Sequence, residues 1–327
     1  MSAQTPSSDV PPILPGLGED PEGALDAAAW ALAAMIGTMR DALTAPLPEV
    51  LAAHPQRTAV LEAVGLVRRD GDGLVPHGAL SRADAETTRS AVAARLSSLR
   101  QAVSAAEDHA SDGAGGGWAD QADEVLLHQG RASAATGRAL ATRVVPQLAG
   151  LAERLDSPGG RVLDVGTGVA ALALALAEAF PRAGIVGVDV LRRALDLART
   201  ELSGADPSVA GRVSLRLLDV AELADPAAYD LVWLPAPFLS EDALRTALPR
   251  LIDALRPGGW IVTGTNPAAS DPLRQAVARW TAVRGGGNSY DTDRMAETLA
   301  AAGLNEVRRF PTVPGGPVLV AARRGAV

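Results

Sequence analysis

Asp164, Gly166 and Gly168 stand in the order Asp-x-Gly-x-Gly within RVLDVGTGVAALALALAEAFP, between an apolar strand-like run and a long helical run. Two glycines at a strand-to-helix turn let the backbone approach a ligand at the helix N-terminus, where unpaired N–H groups converge. Asp189 closes the next apolar run, 21 residues after Gly168. A carboxylate at that place is suited to accept both hydroxyls of a ribose. Taken alone, the glycine pattern fits equally a tight structural turn without a ligand.

The residues that are missing narrow the chemistry. The 327-residue chain has no cysteine. That removes disulfides, zinc–thiolate sites, iron–sulfur clusters and cysteine nucleophiles. It also has no lysine, so all 30 basic residues are arginine. Walker-type phosphate loops and lysine Schiff bases to pyridoxal phosphate are excluded. The four histidines are His54, His77, His109 and His128. A net charge of −8 argues against a general nucleic-acid binder. The most apolar run, Val169 to Ala179, is too short to span a membrane and contains Glu178. The first residues lack a basic and an apolar signal region, so a flexible tail and a cytoplasmic protein are expected.

The elements that must position these residues follow from periodicity. Apolar residues recur at helical spacing over Ala24–Leu43 and Val50–Val64. Leu66-Val67 and Leu74-Val75 flank Asp70-Gly-Asp-Gly73, a hairpin signal. Helix, helix and hairpin outline a winged helix. Ser81–Ala110 reads as one long helix, followed by a glycine loop at Gly113–Gly117 and one or two helices over Ala119–Arg154. Strands are expected at Arg161–Val165, Gly184–Val190, Val213–Leu218, Leu231–Leu234, Trp260–Thr263 and Val318–Ala321, mostly separated by helices. Such alternation builds a largely parallel sheet covered on both faces.

With these landmarks in order, the segment from 160 to 325 resembles the class I S-adenosylmethionine-dependent methyltransferases. Asp164-Val-Gly-Thr167-Gly168 resembles their first motif, with Ala170 where a dinucleotide fold would want a third glycine. GIVGVDV resembles the second motif, which implies Asp189 on the ribose beside Val190. LLDV resembles the third, implying Asp219 on the adenine amino group and the Val220 backbone against the ring. YDLVWLPAPF resembles the fourth strand and its substrate-facing end, where Leu234 completes the cofactor set. LRPGGWIVTG resembles a turn, Pro257-Gly-Gly259, and the fifth strand. AAGLNEVRRF and PVLVAARR resemble the terminal hairpin. The implied fold is a Rossmann-like α/β domain with a seven-stranded, mostly parallel sheet, preceded by a mainly helical, winged-helix-like domain. The cofactor, S-adenosyl-L-methionine, carries a sulfonium and an ammonium but no phosphate, in keeping with a stretch from Arg161 to Arg182 that holds no other arginine. Asp164 then sits near the ammonium, or alternatively bonds the loop itself.

The N-terminal half resembles the small-molecule O-methyltransferases of plant and actinobacterial secondary metabolism, in which the winged helix dimerises and a helical linker helps to close the pocket. The implied organisation is a disordered tail (1–21), a dimerisation domain (22–112), a helical linker (113–159) and a cofactor-binding catalytic domain (160–327). A homodimer and a small-molecule substrate are expected, with no membrane or nucleic-acid partner. Arg57, Arg68, Arg69 and Arg82 are placed to touch phosphates, but Asp70 and Asp72 sit in the wing.

The plant-type enzymes place a basic histidine just after the fourth strand. Here WLPAPFLSEDALRTAL has none, which favours transfer by positioning. His128 and Tyr290 remain as candidate catalytic groups. Trp118, His128, Pro235, Pro237 and Phe238 are candidate substrate contacts, and Trp233 is either core or lining. Pro235-Ala-Pro-Phe238 also resembles the Asn/Asp-Pro-Pro-aromatic motif of nitrogen methylases, with Leu234 in place of its amide. Glu107, Asp108, His109 and Asp112 read as a solvated helix end, so no metal is expected. Two alternatives stay open: an S-adenosylmethionine-binding enzyme of cyclase, decarboxylase or hydroxylase type, and a winged-helix ligand-sensing regulator.

Overall fold

A computed structural model describes residues 20–71, 73–80, 85–107, 117–265, 271–311 and 318–326. The tail expected at 1–21 lies almost wholly outside these residues, as do Asp72, Arg82, Asp108, His109, Asp112 and Gly113 to Gly116. The chain divides into two compact units, 1–100 and 101–327. Among the described residues, no helix is long and apolar enough to cross a membrane.

The first unit contains α1 (Pro21–Asp41), α2 (Leu47–Ala53), α3 (Pro55–Ala63), an antiparallel hairpin of β1 (Val67–Asp70) and β2 (Gly73–Pro76), and the start of α4 (Ala85–Glu107). The helical run expected from Val50 to Val64 is two helices. Pro55 has no N–H to continue a helix and opens α3 at its first position. Ile36, Met39, Leu51, Leu61, Val67 and Leu80 form the core of this unit.

In the second unit, α5 (Asp123–Ala139) is followed by irregular helical turns over 140–147 and by α6 (Leu151–Leu155). Alternation then begins: β3 (Arg161–Val165), α7 (Ala171–Ala179), β4 (Gly184–Asp189), α8 (Arg192–Ser203), α9 (Pro207–Ala210), β5 (Val213–Leu217), β6 (Tyr229–Pro235), α10 (Glu241–Ala254), β7 (Leu255–Gly264), α11 (Pro272–Arg284), α12 (Thr292–Ala301), β8 (Asn305–Pro311) and β9 (Val318–Arg323). The sheet order is β5-β4-β3-β6-β7-β9-β8. The first five strands in that order are parallel, and β9 is antiparallel to both of its neighbours. Alternate side chains feed two cores. Val162, Leu231 and Trp233 pack with α6 and α7, while Leu163, Val232 and Leu234 pack with α10 and α12. Burial on both faces explains why β6 is buried along its whole length.

The turn expected at Pro257-Gly-Gly259 lies inside β7. Pairing jumps from Tyr229–Leu255 to Leu231–Trp260, so residues 256–259 form a bulge, with Gly258 at a φ of 75°. Beneath the bulge, Asp230 is only 3% exposed. Its carboxylate accepts the Arg161 N–H at 3.0 Å and an Arg256 guanidinium N–H at 2.6 Å, with Arg154 at 3.5 Å. One side chain thereby ties β6 to β3, β7 and α6. Replacing Asp230 with Ala leaves a backbone donor unsatisfied but strands only half-exposed guanidinium groups. Urea denaturation of Asp230→Ala is expected to show a loss of about 2–3 kcal/mol. An unchanged midpoint would show that the clamp contributes nothing.

Candidate functional site

Strand order reverses at β3. The chain runs from β3 to β4 and β5 on one side, then returns to β6 on the other. In open parallel sheets such a switch point leaves a crevice at the carboxyl ends of the strands. The residues singled out by the sequence gather there: Gly166-Thr167-Gly168 after β3, Asp189-Val190 at the end of β4, Asp219-Val220 after β5, and Pro235 to Phe238 at and beyond the end of β6.

Gly166 and Gly168 both take left-handed backbone angles, with φ of 61° and 56°. A side chain at 168 would meet nothing within 4 Å, and one at 166 would meet only the Pro235 ring at 3.6 Å. The turn therefore opens toward space, apart from the Pro235 wall. Ala170 also has a positive φ, 64°, and caps α7. That conformation costs an alanine roughly 1–2 kcal/mol.

Thr167 points inward. Its N–H reaches Val188 O at 3.0 Å, its hydroxyl donates to Asp164 Oδ2 at 2.7 Å, and its side chain fills the space where a Gly187 side chain would stand. Asp189 closes the other side. Its Oδ2 accepts the Gly168 N–H at 2.9 Å, and its Oδ1 accepts the Leu191 N–H at 2.8 Å. Each carboxylate oxygen keeps acceptor capacity for a ligand hydroxyl.

The site carries unneutralised acid. Burial pushes Asp164 up to about 7, against the lowering effect of the Thr167 hydroxyl and with a further push from the charge on Asp189. Burial also raises Asp189, opposed by the backbone N–H groups it accepts. Neither carboxylate has an arginine partner among the described residues. Two such groups around an open turn favour a cationic ligand over a phosphate.

The remaining sequence candidates are distributed unevenly. Asp219 is exposed and accepts the Ala221 N–H at 2.9 Å, starting a short turn that buries Val220. Val190 is 60% exposed and offers an apolar surface next to Asp189. Leu234 sends its side chain into the core against α10, leaving its backbone as what it offers a ligand. Trp233 is core, its ring packed over Gly264. Trp118 and Phe238 meet edge-on, with centroids 5.4 Å apart, and Phe238 remains 51% exposed. Pro237 is half-buried in the same turn. His128 lies half-buried on α5, two residues before Gly130. The Tyr290 ring lies beneath the Arg294 guanidinium, 3.8 Å from its centroid, and packs on the core.

Three glycines with structural duties at this site escaped the sequence reading. Gly187 leaves room for Thr167. Gly130 and Gly137 bring α5 against Val169, Leu172 and Ala175, so that α5 lies directly on the glycine turn and α7. The available signal was Gly187 inside an apolar strand, since an interior strand glycine marks a close approach.

A family model described as "Methyltransferase domain" matches residues 162–259. Residues 162–259 are a methyltransferase domain. The chain is 26% identical over 147 residues to a release factor glutamine methyltransferase of Koribacter versatilis, an alignment covering 37% of this chain and 51% of that protein. The chain thus spans about half the length of that curated relative. Over nearly its whole length, the chain shares the fold of a putative O-methyltransferase from Nostoc punctiforme (TM-score 0.66, 17% identity, 98% of this chain and 100% of that one). It also shares the fold of CalO1, a methyltransferase in calicheamicin biosynthesis solved with S-adenosylhomocysteine (TM-score 0.64, 20% identity, 95% and 97%). Both structures match the α/β sheet of the methyltransferase domain together with the helical N-terminal region.

The raised value of Asp164 makes its contribution to stability depend on pH. The folded protein holds this proton up to about pH 7, whereas the unfolded chain releases it near 4. The folded state therefore binds more protons between these values, and this group's contribution to stability falls as pH rises from about 4 to 7. Asp164→Asn should remove that component and stabilise the ligand-free protein at pH 7.5. Thermal melts of both proteins across that range test it; parallel pH profiles would show that Asp164 does not titrate there.

Proposed function

We propose that the protein transfers a methyl group from S-adenosyl-L-methionine to an O, N or C atom of a small-molecule acceptor, of the kind made in secondary metabolism. The carrying observation is the open Gly166–Gly168 turn flanked by Asp164 and Asp189, two carboxylates without a cationic partner among the described residues. They suit a nucleoside that bears positive charge and no phosphate. When bound, the cofactor supplies an activated methyl group. Asp189 takes the ribose hydroxyls, Asp219 and the Val220 backbone take the adenine, Val190 packs on it, and Asp164 with Thr167 holds the loop near the ammonium. The solved relatives with this fold include CalO1 with S-adenosylhomocysteine and human N-acetylserotonin methyltransferase with S-adenosylmethionine, which supports the same cofactor here.

Trp118, Pro235, Pro237 and Phe238 wall the acceptor side, beyond the end of β6. No histidine follows β6, so holding the acceptor in line is the main catalytic contribution. The curated relative acts on a release-factor glutamine, but the amide that leads the nitrogen-methylase motif is Leu234 here, which weighs against a glutamine acceptor.

The first unit, helix-helix-helix-hairpin-helix, is read as a winged-helix-like dimerisation module. Trp30, 74% exposed, and Leu25 on α1 supply apolar surface for a second copy. Three of its arginines are engaged in ion pairs: Arg57 with Asp41, Arg68 with Asp70, Arg69 with Glu62. That pairing supports a partner other than nucleic acid. Light scattering is expected to return a dimer, and a monomer mass at micromolar concentration would refute it.

Two variants test the catalytic reading with methyl-labelled cofactor. Asp189→Ala is expected to weaken S-adenosylmethionine binding by about 1.5–3 kcal/mol, the scale of charged hydrogen bonds. Unchanged calorimetric affinity in a folded variant sinks the ribose assignment. His128→Ala is expected to slow turnover by less than about tenfold if positioning carries the reaction. A loss of about 10²–10⁴ together with a flattened pH dependence of turnover would make His128 the base instead.

A further inference from the structure

Residues 285–290, between α11 and α12, fold onto the turn that follows β6. Asn288 is 2% exposed. Its Nδ2 donates to Ala236 O and to Leu239 O, both at 2.8 Å, so one amide group bonds the carbonyls at the two ends of the Ala236–Phe238 turn. Its Oδ1 accepts the Tyr290 N–H at 2.8 Å, and its own N–H reaches Pro237 O at 3.4 Å. At Gly287 a side chain would run into the Pro237 carbonyl, and a side chain at Gly285 would stand 3.5 Å from the Trp118 indole nitrogen. The two segments are thus interlocked through a buried carboxamide and a glycine that permits the approach. The turn held this way carries Phe238, against which Trp118 packs edge-on.

The chemistry of these bonds is demanding. Two carbonyls require a donor with two hydrogens on one atom, and the Tyr290 N–H requires an acceptor at the same place. Among neutral side chains of this length only asparagine offers both. Buried as it is, each lost bond would leave an unpaired backbone group.

We propose that Asn288 is a positioning residue for the acceptor: it fixes the Ala236–Phe238 turn, and through it the Trp118–Phe238 wall, while leaving the Gly166–Gly168 turn untouched. The proposal rests on reading this site as a methyl-transfer site. Its physical content is that the acceptor wall and the cofactor loop are held by separate bonds. Asp189 and Asp164 hold one, and Asn288 holds the other.

The test uses the full chain with Asn288→Asp, which places a carboxylate against two carbonyls, and Gly287→Ala, which displaces the Pro237 carbonyl while keeping the amide. Three measurements are made on each: amide hydrogen exchange, S-adenosylhomocysteine affinity by calorimetry, and transfer of labelled methyl to a graded set of phenols, anilines and benzoates. Exchange over residues 236–242 and 117–122 is expected to accelerate by about tenfold or more, with residues 161–176 unchanged. S-adenosylhomocysteine affinity should stay within about twofold, and acceptor KM should rise about tenfold while kcat changes less than about threefold. Unchanged exchange at 236–242, an equal loss of S-adenosylhomocysteine affinity, or a fall in kcat at constant KM overturns the assignment. Where the unaltered protein binds neither S-adenosylmethionine nor S-adenosylhomocysteine, the methyl-transfer reading is what fails, and the exchange pattern still decides for or against the hold of Asn288 on the turn.

Discussion

The bond between the Gly168 N–H and the Asp189 carboxylate is the contact on which the rest of the second unit depends. It joins the turn after β3 to the end of β4, its parallel neighbour, beside the switch point between β3 and β6. Thr167 reinforces it from beneath, with its hydroxyl on Asp164 and its N–H on Val188. For Thr167 to reach that position, β4 needs a residue without a side chain at 187, and for α5 to lie on the turn it needs one at 130. The glycines of this domain are therefore not interchangeable. Gly166 and Gly168 are required by backbone angle and by open space for a ligand, Gly187 and Gly130 by the closeness of their neighbours.

This arrangement explains how far the sequence could be read. The parallel strands were visible because both faces of the sheet are buried, so β3, β4 and β6 appear as continuous apolar runs. The C-terminal strand ends were visible too, because Asp-x-Gly-x-Gly and Asp189 place distinctive residue types at strand ends and in the turn that follows β3. Boundaries suffered where a local signal was ambiguous. Pro257-Gly-Gly259 reads as a turn, but strand pairing resumes at Trp260 and turns it into a bulge. Val50–Val64 reads as one amphipathic helix until Pro55 interrupts it.

What the sequence concealed are contacts whose partners are far apart along the chain and whose residue types are ordinary. Asn288 in a Gly-Gly-Gly-Asn-Ser loop looks like solvent-facing turn chemistry. Its partners are Ala236 and Leu239, 52 and 49 residues earlier, and they take part through carbonyls that every residue possesses. No side-chain pattern marks such a pair. Trp118 and Phe238 were candidates individually, but their edge-on contact depends on how residues 118–120 meet the turn after β6, which no periodicity encodes. The same holds for Tyr290, whose ring is taken up by Arg294.

Two buried carboxylates show how one residue type serves opposite ends. Asp230, near the amino ends of the strands, is surrounded by Arg154, Arg256 and the Arg161 N–H, so its charge is met within the fold. Asp164, one strand over and at the carboxyl end, has among the described residues only the Thr167 hydroxyl, and the neighbouring charge of Asp189 makes ionisation harder still. A chain with 30 arginines has no shortage of guanidinium groups to place beside Asp164. Among the described residues none of them pairs with Asp164 or Asp189, although Arg192 and Arg193 open the helix just after β4, so these two carboxylates are left with a deficit of positive charge. Desolvated acid held without a counter-charge is costly to the folded state, and the cost is offset when a ligand brings the missing charge. Asp230 is thus neutralised from within the fold, whereas Asp164 and Asp189 have no cationic partner among the described residues.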